Sequence, residues 1–332
     1  MTQPRPAPPT PAAATELYGP VSNDLPRVDA MLADLQRVEF PWLRHMLESV
    51  LGGGGKRMRP AIALLAGRLG DYNLEALVPL AASVELLHTA TLIHDDVIDA
   101  APERRGRPTA AALFNNASSV MLGDYLFAHA AEFVARTGNI RVIRNFADTL
   151  RVMANGELTQ DMSAFEYSVD VQRYFDRISG KTASLFATAA EGGAIVTGAP
   201  ERLVAPMRRY GEQLGMAFQI VDDILDFSAT SEELGKPAGS DLLSGTVTLP
   251  ALLYMDRSPE DNPVRRAFEG VRRRQNLQRA ITEIRASDII DESMVTARRF
   301  ADRALEALAE LPAGEPRTTL EGVVEYVLSR RS

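Results

Sequence analysis

The 332-residue chain has no cysteine, one tryptophan and four histidines. The missing thiols exclude disulfides, thiolate catalysis and cysteine-ligated zinc. The lack of disulfides fits a cytoplasmic setting. A basic surplus is also missing: the net charge of −8 argues against a general nucleic-acid binder. It leaves anionic substrates open, because local basic clusters decide that. No transmembrane segment is expected, since no apolar run reads as long enough to cross a bilayer. The Pro/Ala-rich stretch from Thr2 to Ala14 lacks the charged-then-apolar order of a secretory signal, so residues 1–17 read as a disordered tail. Strand signals are scarce, with no sustained apolar/polar alternation and no hairpin signature. What remains is ordinary globular composition, 45% hydrophobic and 24% charged, enough for a sizeable core.

Helical periodicity fills the rest. Asn73 is expected to cap a helix running to about Asp99, with Leu77, Leu80, Val84, Leu87 and Thr91 on one face. Ser118 is expected to open another, through Met121, Tyr125, Ala128 and Phe133. Further helices are expected over about 139–163, 171–179, 182–197, 201–228, 248–256, 275–286, 292–311 and 318–330. The best candidate break, Ser258–Pro263, is short. Residues 18–332 therefore read as one all-α domain, a bundle of ten or more helices.

One feature recurs on these helices. Asp95, Asp96 and Asp99 stand in LIHDDVID, and Asp222, Asp223 and Asp226 in FQIVDDILD. Residues four apart share a helix face, which pairs Asp95 with Asp99 and Asp222 with Asp226. Aspartate is a poor helix-interior residue, and stacked like charges add a further cost. Carboxylates set among Ile, Val and Leu therefore want a cation. Oxygen donors without cysteine or paired histidine suit a hard ion such as Mg²⁺, which keeps waters and uses substrate phosphates to complete its shell. Two such clusters could face each other and clamp a diphosphate. Either one alone also reads as a solvated acidic patch.

Cationic groups accompany the acids. GGGGKRMRP brings Lys56, Arg57 and Arg59 behind glycines that allow close backbone approach to an anion, and Pro60 can start the next helix. It is not a P-loop. PERRGRPT puts Arg104 and Arg105 just after the first cluster, with forks that match phosphate oxygens. Lys181 and Lys236 each follow a glycine. His88 precedes Asp95 on its helix, and Gln219 lies three positions before Asp222. Plainer readings stand beside these: a basic turn, solvated lysines, a structural histidine, a core amide.

In this order, GGGGKRMRP, LIHDDVIDAAPERRGRPT, GKTASL, GMAFQIVDDILD and LGKPAGSDL resemble the trans-isoprenyl diphosphate synthase (polyprenyl synthetase) family, over about Leu51 to Leu253. The resemblance implies the isoprenoid synthase fold, helices around a central cavity. It implies that Lys56, Arg59, His88 and Arg105 hold the diphosphate of isopentenyl diphosphate. Asp95, Asp99 and Asp222 would ligate three Mg²⁺ on the allylic diphosphate, with Asp96, Asp223 and Asp226 close by. Arg104, Lys181 and Lys236 would contact that diphosphate, and Thr182 and Gln219 would lie along the developing allylic cation. One departure is Thr246, where many members carry a lysine in GKxTLP.

The implied reaction is head-to-tail condensation. The allylic carbon–oxygen bond ionises, isopentenyl diphosphate attacks, and a proton leaves; with no obvious side-chain base, the released diphosphate is the candidate acceptor. Product length is expected to depend on Leu87, Ala90 and Thr91, one and two turns before Asp95. Ala90, where short-chain members often have an aromatic, implies a hexaprenyl to decaprenyl product of the kind used in quinone side chains. Alternatives are a short-chain synthase, a subunit of a heteromeric synthase, a class I terpene cyclase or a helical scaffold. A homodimer is implied by the family alone.

Overall fold

The computed structural model describes residues 17–52, 55–104, 106–162, 164–228 and 238–330. The expected N-terminal tail up to residue 16, and the candidate site residues Arg105 and Lys236, lie outside them. After a 3₁₀ turn at Gly19–Val21 come α1 (Leu25–Asp34), α2 (Pro41–Leu51), α3 (Met58–Gly67) and α4 (Leu74–Ile98). A two-stranded antiparallel ribbon follows, β1 (Glu103–Arg104) and β2 (Arg107–Pro108), with Arg104 opposite Arg107. Next are α5 (Ala110–Leu113), α6 (Asn116–Arg136), α7 (Ile140–Met162) and α8 (Val171–Ile178). A π turn at Ser179–Ala183 leads into α9 (Ser184–Val196), and α10 spans Glu201–Ser228. The chain closes with α11 (Ser240–Leu243), α12 (Leu249–Arg257), α13 (Pro263–Phe268), α14 (Arg273–Arg285), α15 (Ile289–Ala309) and α16 (Glu315–Ser329).

The described residues gather into two compact units. One comprises residues up to Asp148 with Leu185–Arg209 and Ala307–Val323; the other comprises Thr149–Ser184, Tyr210–Glu306 and Val324 onward. Ser258–Pro263, the sequence's candidate break, lies inside the second unit as the turn into α13, where Asn262 accepts from the Arg265 N–H at 2.9 Å.

In the first unit α4 is the organising helix. Asn73 caps it by accepting from the Glu75 N–H at 2.9 Å. Leu77 to Leu87 are buried without a gap, so the helix has no polar stripe there. By length and composition α4 could cross a membrane, with a mean hydropathy of 1.6 over its most apolar window, two-thirds of it (67%) buried in the fold. The sequence reading found no such run because Glu85 and His88 interrupt it; averaged over a window, the apolar character persists. Helix α6 lies against α4 at Gly123, where a Cβ would come 2.1 Å from His94 Nε2. The cap of α6 is Asn115, accepting from the Ser118 N–H at 2.8 Å, so the helix starts before the expected Ser118. Helix α3 is buried along its whole length, and at Gly193 of α9 a Cβ would meet the Ala63 carbonyl at 2.1 Å. Pro60 sits in the first turn of α3, which begins at Met58.

In the second unit, Tyr174, Ile178, Ile220, Val221, Ile224 and Leu252 form one apolar cluster, and Phe227, Leu242, Met255, Leu277 and Ile284 a neighbouring one. The residues flanking the second aspartate triplet are thus core. They fix the register at which its carboxylates emerge.

Candidate active site

The first aspartate triplet ends α4. Asp95 is half-buried, Asp96 is 5% exposed and Asp99 is exposed at the helix end, where its N–H reaches the Asp95 carbonyl at 2.8 Å. The β-ribbon explains Asp96: Arg104 Nε donates to its Oδ1 at 2.6 Å. Burial lifts the Asp96 carboxyl above its ordinary range, and Arg104 offsets part of that. Arg104, expected on substrate, is here tethered to the triplet. Nothing in the sequence signals the ribbon that delivers it, two residues per strand being too short for any periodicity.

The basic run before α3 also divides. Arg57 takes a left-handed conformation (φ 48°) and donates from Nε to Asp29 at 2.8 Å and from Nη1 to Glu85 at 2.7 Å. Its charge is engaged inside the unit, contrary to the expectation that it serves an anion. Burial works against its charge, and the two carboxylates more than restore it. Lys56 is exposed, and Arg59 is buried with its guanidinium 4.3 Å over the Phe186 ring. His88 is half-buried, about one turn beyond Glu85 on α4. Leu87 and Ala90 are fully buried, and the half-buried Thr91 turns its hydroxyl to the His88 carbonyl at 2.8 Å.

The second triplet lies on α10, in the other unit. Asp222 is exposed and meets Arg330 Nη2 at 3.2 Å. Asp223 is 3% exposed and accepts from Tyr174 Oη at 2.7 Å and from Gln219 Nε2 at 2.8 Å. Gln219 in turn accepts from Thr182 Oγ1 at 2.7 Å, so Thr182, Gln219, Asp223 and Tyr174 form one chain of hydrogen bonds. Burial first, and Asp241 second, push the Asp223 carboxyl up to about 7 despite those donors. Asp226, 3% exposed, accepts from Ser240 Oγ at 3.1 Å and the Asp241 N–H at 3.2 Å. Asp222 and Asp226, expected to act as a pair, thus sit in opposite environments.

Lys181 occupies the π turn, a local widening of the helix common at functional positions. Its Nζ lies 2.6 Å from Glu157 on α7. Sequence reasoning missed Glu157, Tyr174 and Arg330: each acts through a partner remote in sequence, and only the basic end of the chain hinted at Arg330. The Arg330 guanidinium lies 4.3 Å over Phe218 and is 9% exposed. A cleft of about 460 Å³ in this unit is lined by Gly156, Gln160, Tyr174, Arg177 and Thr246, with Arg177 donating to the Val247 carbonyl at 2.7 Å.

Among the described residues no three histidine or carboxylate side chains converge as a ready-made metal cage. The donors fit a different arrangement. Asp95, Asp99 and Asp222 reach solvent, whereas Asp96, Asp223 and Asp226 are buried on protein donors. One or two carboxylates per ion, completed by phosphate oxygens and water, is the shell Mg²⁺ accepts.

Residues 40–284 match the sequence model of a family described as Polyprenyl synthetase. The chain is 40% identical to heptaprenyl diphosphate synthase component 2 of Geobacillus stearothermophilus, over 95% of this chain and 98% of that protein. Among solved structures, it resembles the heptaprenyl diphosphate synthase of Staphylococcus aureus, with a TM-score of 0.89 and 33% identity over 94% of this chain and 99% of that one. It also resembles a decaprenyl diphosphate synthase of Rhodobacter capsulatus, with a TM-score of 0.88 and 37% identity over 96% and 99%.

Proposed function

The chain belongs to the polyprenyl synthetase family, and from that premise we propose how its residues divide the work. It is a trans-prenyltransferase that condenses isopentenyl diphosphate with an allylic diphosphate to an all-trans polyprenyl diphosphate of medium to long chain. Asp95, Asp99 and Asp222 hold Mg²⁺ on the allylic diphosphate. When bound, the metal stabilises charge on the departing diphosphate. Asp96 positions Arg104, and Glu157 positions Lys181, as cations for the same group. Lys56, Arg59, His88 and Arg105 take the second diphosphate, and Lys236 joins the first. The Thr182 and Gln219 oxygens border the developing cation, a place where fixed dipoles act strongly. The observation that carries this division is the split within each triplet between carboxylates that reach solvent and carboxylates buried on protein donors.

Residues 18–332 act as one catalytic domain in the cytoplasm, as a homodimer. Exposed Met121 (69%) and Ile140 (70%) support a subunit interface, since large apolar side chains at that exposure are better covered. The name of the Geobacillus relative, component 2, favours a second reading, an active subunit that needs a partner chain. One experiment separates these. The purified chain is given labelled isopentenyl diphosphate, a short allylic primer and Mg²⁺, and the products are resolved by chromatography. Long-chain product from this chain alone supports the homomeric enzyme. No turnover alone, restored by a partner subunit, supports the second reading, and no turnover in either case removes both.

A further inference from the structure

Between Pro263 and Arg285 the sequence carries seven arginines and two glutamates, in a chain of net charge −8. Much of this charge is used locally. Arg265 meets Glu269 at 3.2 Å, Arg266 grips Asp261 at 2.6 and 2.7 Å, and Arg279 meets Glu283 at 2.6 Å. Four remain: Arg285, exposed at the far end of α14, and Arg272, Arg273 and Arg274, consecutive at its head and all exposed, these three lining a shallow groove with Gln275. Arg273 lies 4.4 Å over the Phe165 ring. Arg272 and Arg274 have no side-chain hydrogen bond or ion pair among the described residues.

The turn that presents them is fixed. The Val271 N–H donates to the Arg266 carbonyl at 2.8 Å, Asn276 Nδ2 donates to the Val271 carbonyl at 2.7 Å, and Arg272 is left-handed (φ 41°). Val271, beside the arginines, is 51% exposed. An apolar side chain next to unpaired guanidinium groups matches a lipid surface: forks for headgroup phosphates, an apolar tip for the layer beneath. The negative remainder of the molecule is repelled by an anionic surface, so this turn sets which face approaches.

We infer that the Val271–Arg274 turn docks the protein on an anionic lipid bilayer, where its product leaves. The destination of the product rests on the proposed reaction, because a long apolar chain has to pass from the protein into an apolar phase; the docking itself does not. Nucleic acid also offers phosphates, but it gives Val271 no apolar layer.

The test is co-flotation of the full chain with phosphatidylcholine vesicles, with or without phosphatidylglycerol, at low and high salt. Binding is expected only with phosphatidylglycerol and only at low salt. R272Q/R274Q is expected to lower partitioning about thirtyfold, roughly fivefold for each basic residue at an anionic surface. R298Q/R299Q removes the same charge from exposed arginines of α15 and is expected to leave partitioning near wild type. No binding to phosphatidylglycerol vesicles, equal loss in both variants, or RNA competing as well as vesicles would each overturn the inference. Turnover of a short primer in detergent is expected to be unchanged in R272Q/R274Q. Loss of that turnover in the wild type would sink the enzymatic reading and leave vesicle binding to be judged separately.

Discussion

Asp222 and Asp223 are neighbours in sequence, yet one is exposed and the other is 3% exposed with two hydrogen-bond donors. The difference arises from a helix step of about 100°, which turns the second carboxylate into the core beside Tyr174. Removing the Tyr174 hydroxyl leaves Asp223 with one donor fewer in a buried place. Tyr174→Phe is expected to cost about 1–3 kcal/mol of stability, measured by urea unfolding. If the stability is unchanged, the bond carries nothing. Lys181 stands differently, because its proposed role is on the allylic diphosphate. Lys181→Ala is expected to lower kcat/KM for the allylic substrate by about a hundredfold or more while leaving the unfolding midpoint near wild type. A variant that unfolds instead would make the 2.6 Å pair with Glu157 purely structural.

At the scale of elements, two glycines set how closely helices approach, and they differ in what stands opposite. At Gly123 the obstacle is the side chain of His94, which can move; at Gly193 it is the Ala63 backbone carbonyl, which cannot. Gly123→Ala is expected to cost about 1–3 kcal/mol, and markedly less in a His94→Ala background, whereas Gly193→Ala costs more and no side-chain truncation relieves it. Thermal unfolding of the four variants checks this. On α4, Ala90 is fully buried two residues after His88. Ala90→Phe is expected to shorten the product, read by chromatography, and an unchanged product length would separate that face of α4 from chain-length control.

Long helices were legible because their punctuation is local: Asn73 caps α4 where expected, and α7 and α10 begin within a residue of expectation. What escaped was short or tertiary. The β-ribbon and α5 are only a few residues each, and α1 and α2 start without a side-chain cap to announce them, proline standing in the first turn of each; the start of α3 was expected at Pro60. The triplets could be seen in sequence; their internal split could not, since Arg104, Tyr174 and Ser240 reach them only through folding.

For the whole molecule, chemistry and charge act at different places. In the proposed reaction the acidic triplets gather metal and diphosphate, while the basic turn before α14 stands apart from them in sequence and carries the proposed lipid contact. The central claim is that both triplets serve one metal-bound diphosphate. Its most direct test is calorimetric binding of a non-ionisable allylic diphosphate analogue with Mg²⁺ to the wild type, Asp95→Asn, Asp222→Asn and the double variant. If the triplets share one ligand, each single change is expected to weaken binding strongly, and the double variant to lose far less than the product of the two losses, with all binding abolished by chelator. Losses that simply multiply, or binding indifferent to either aspartate, would contradict it.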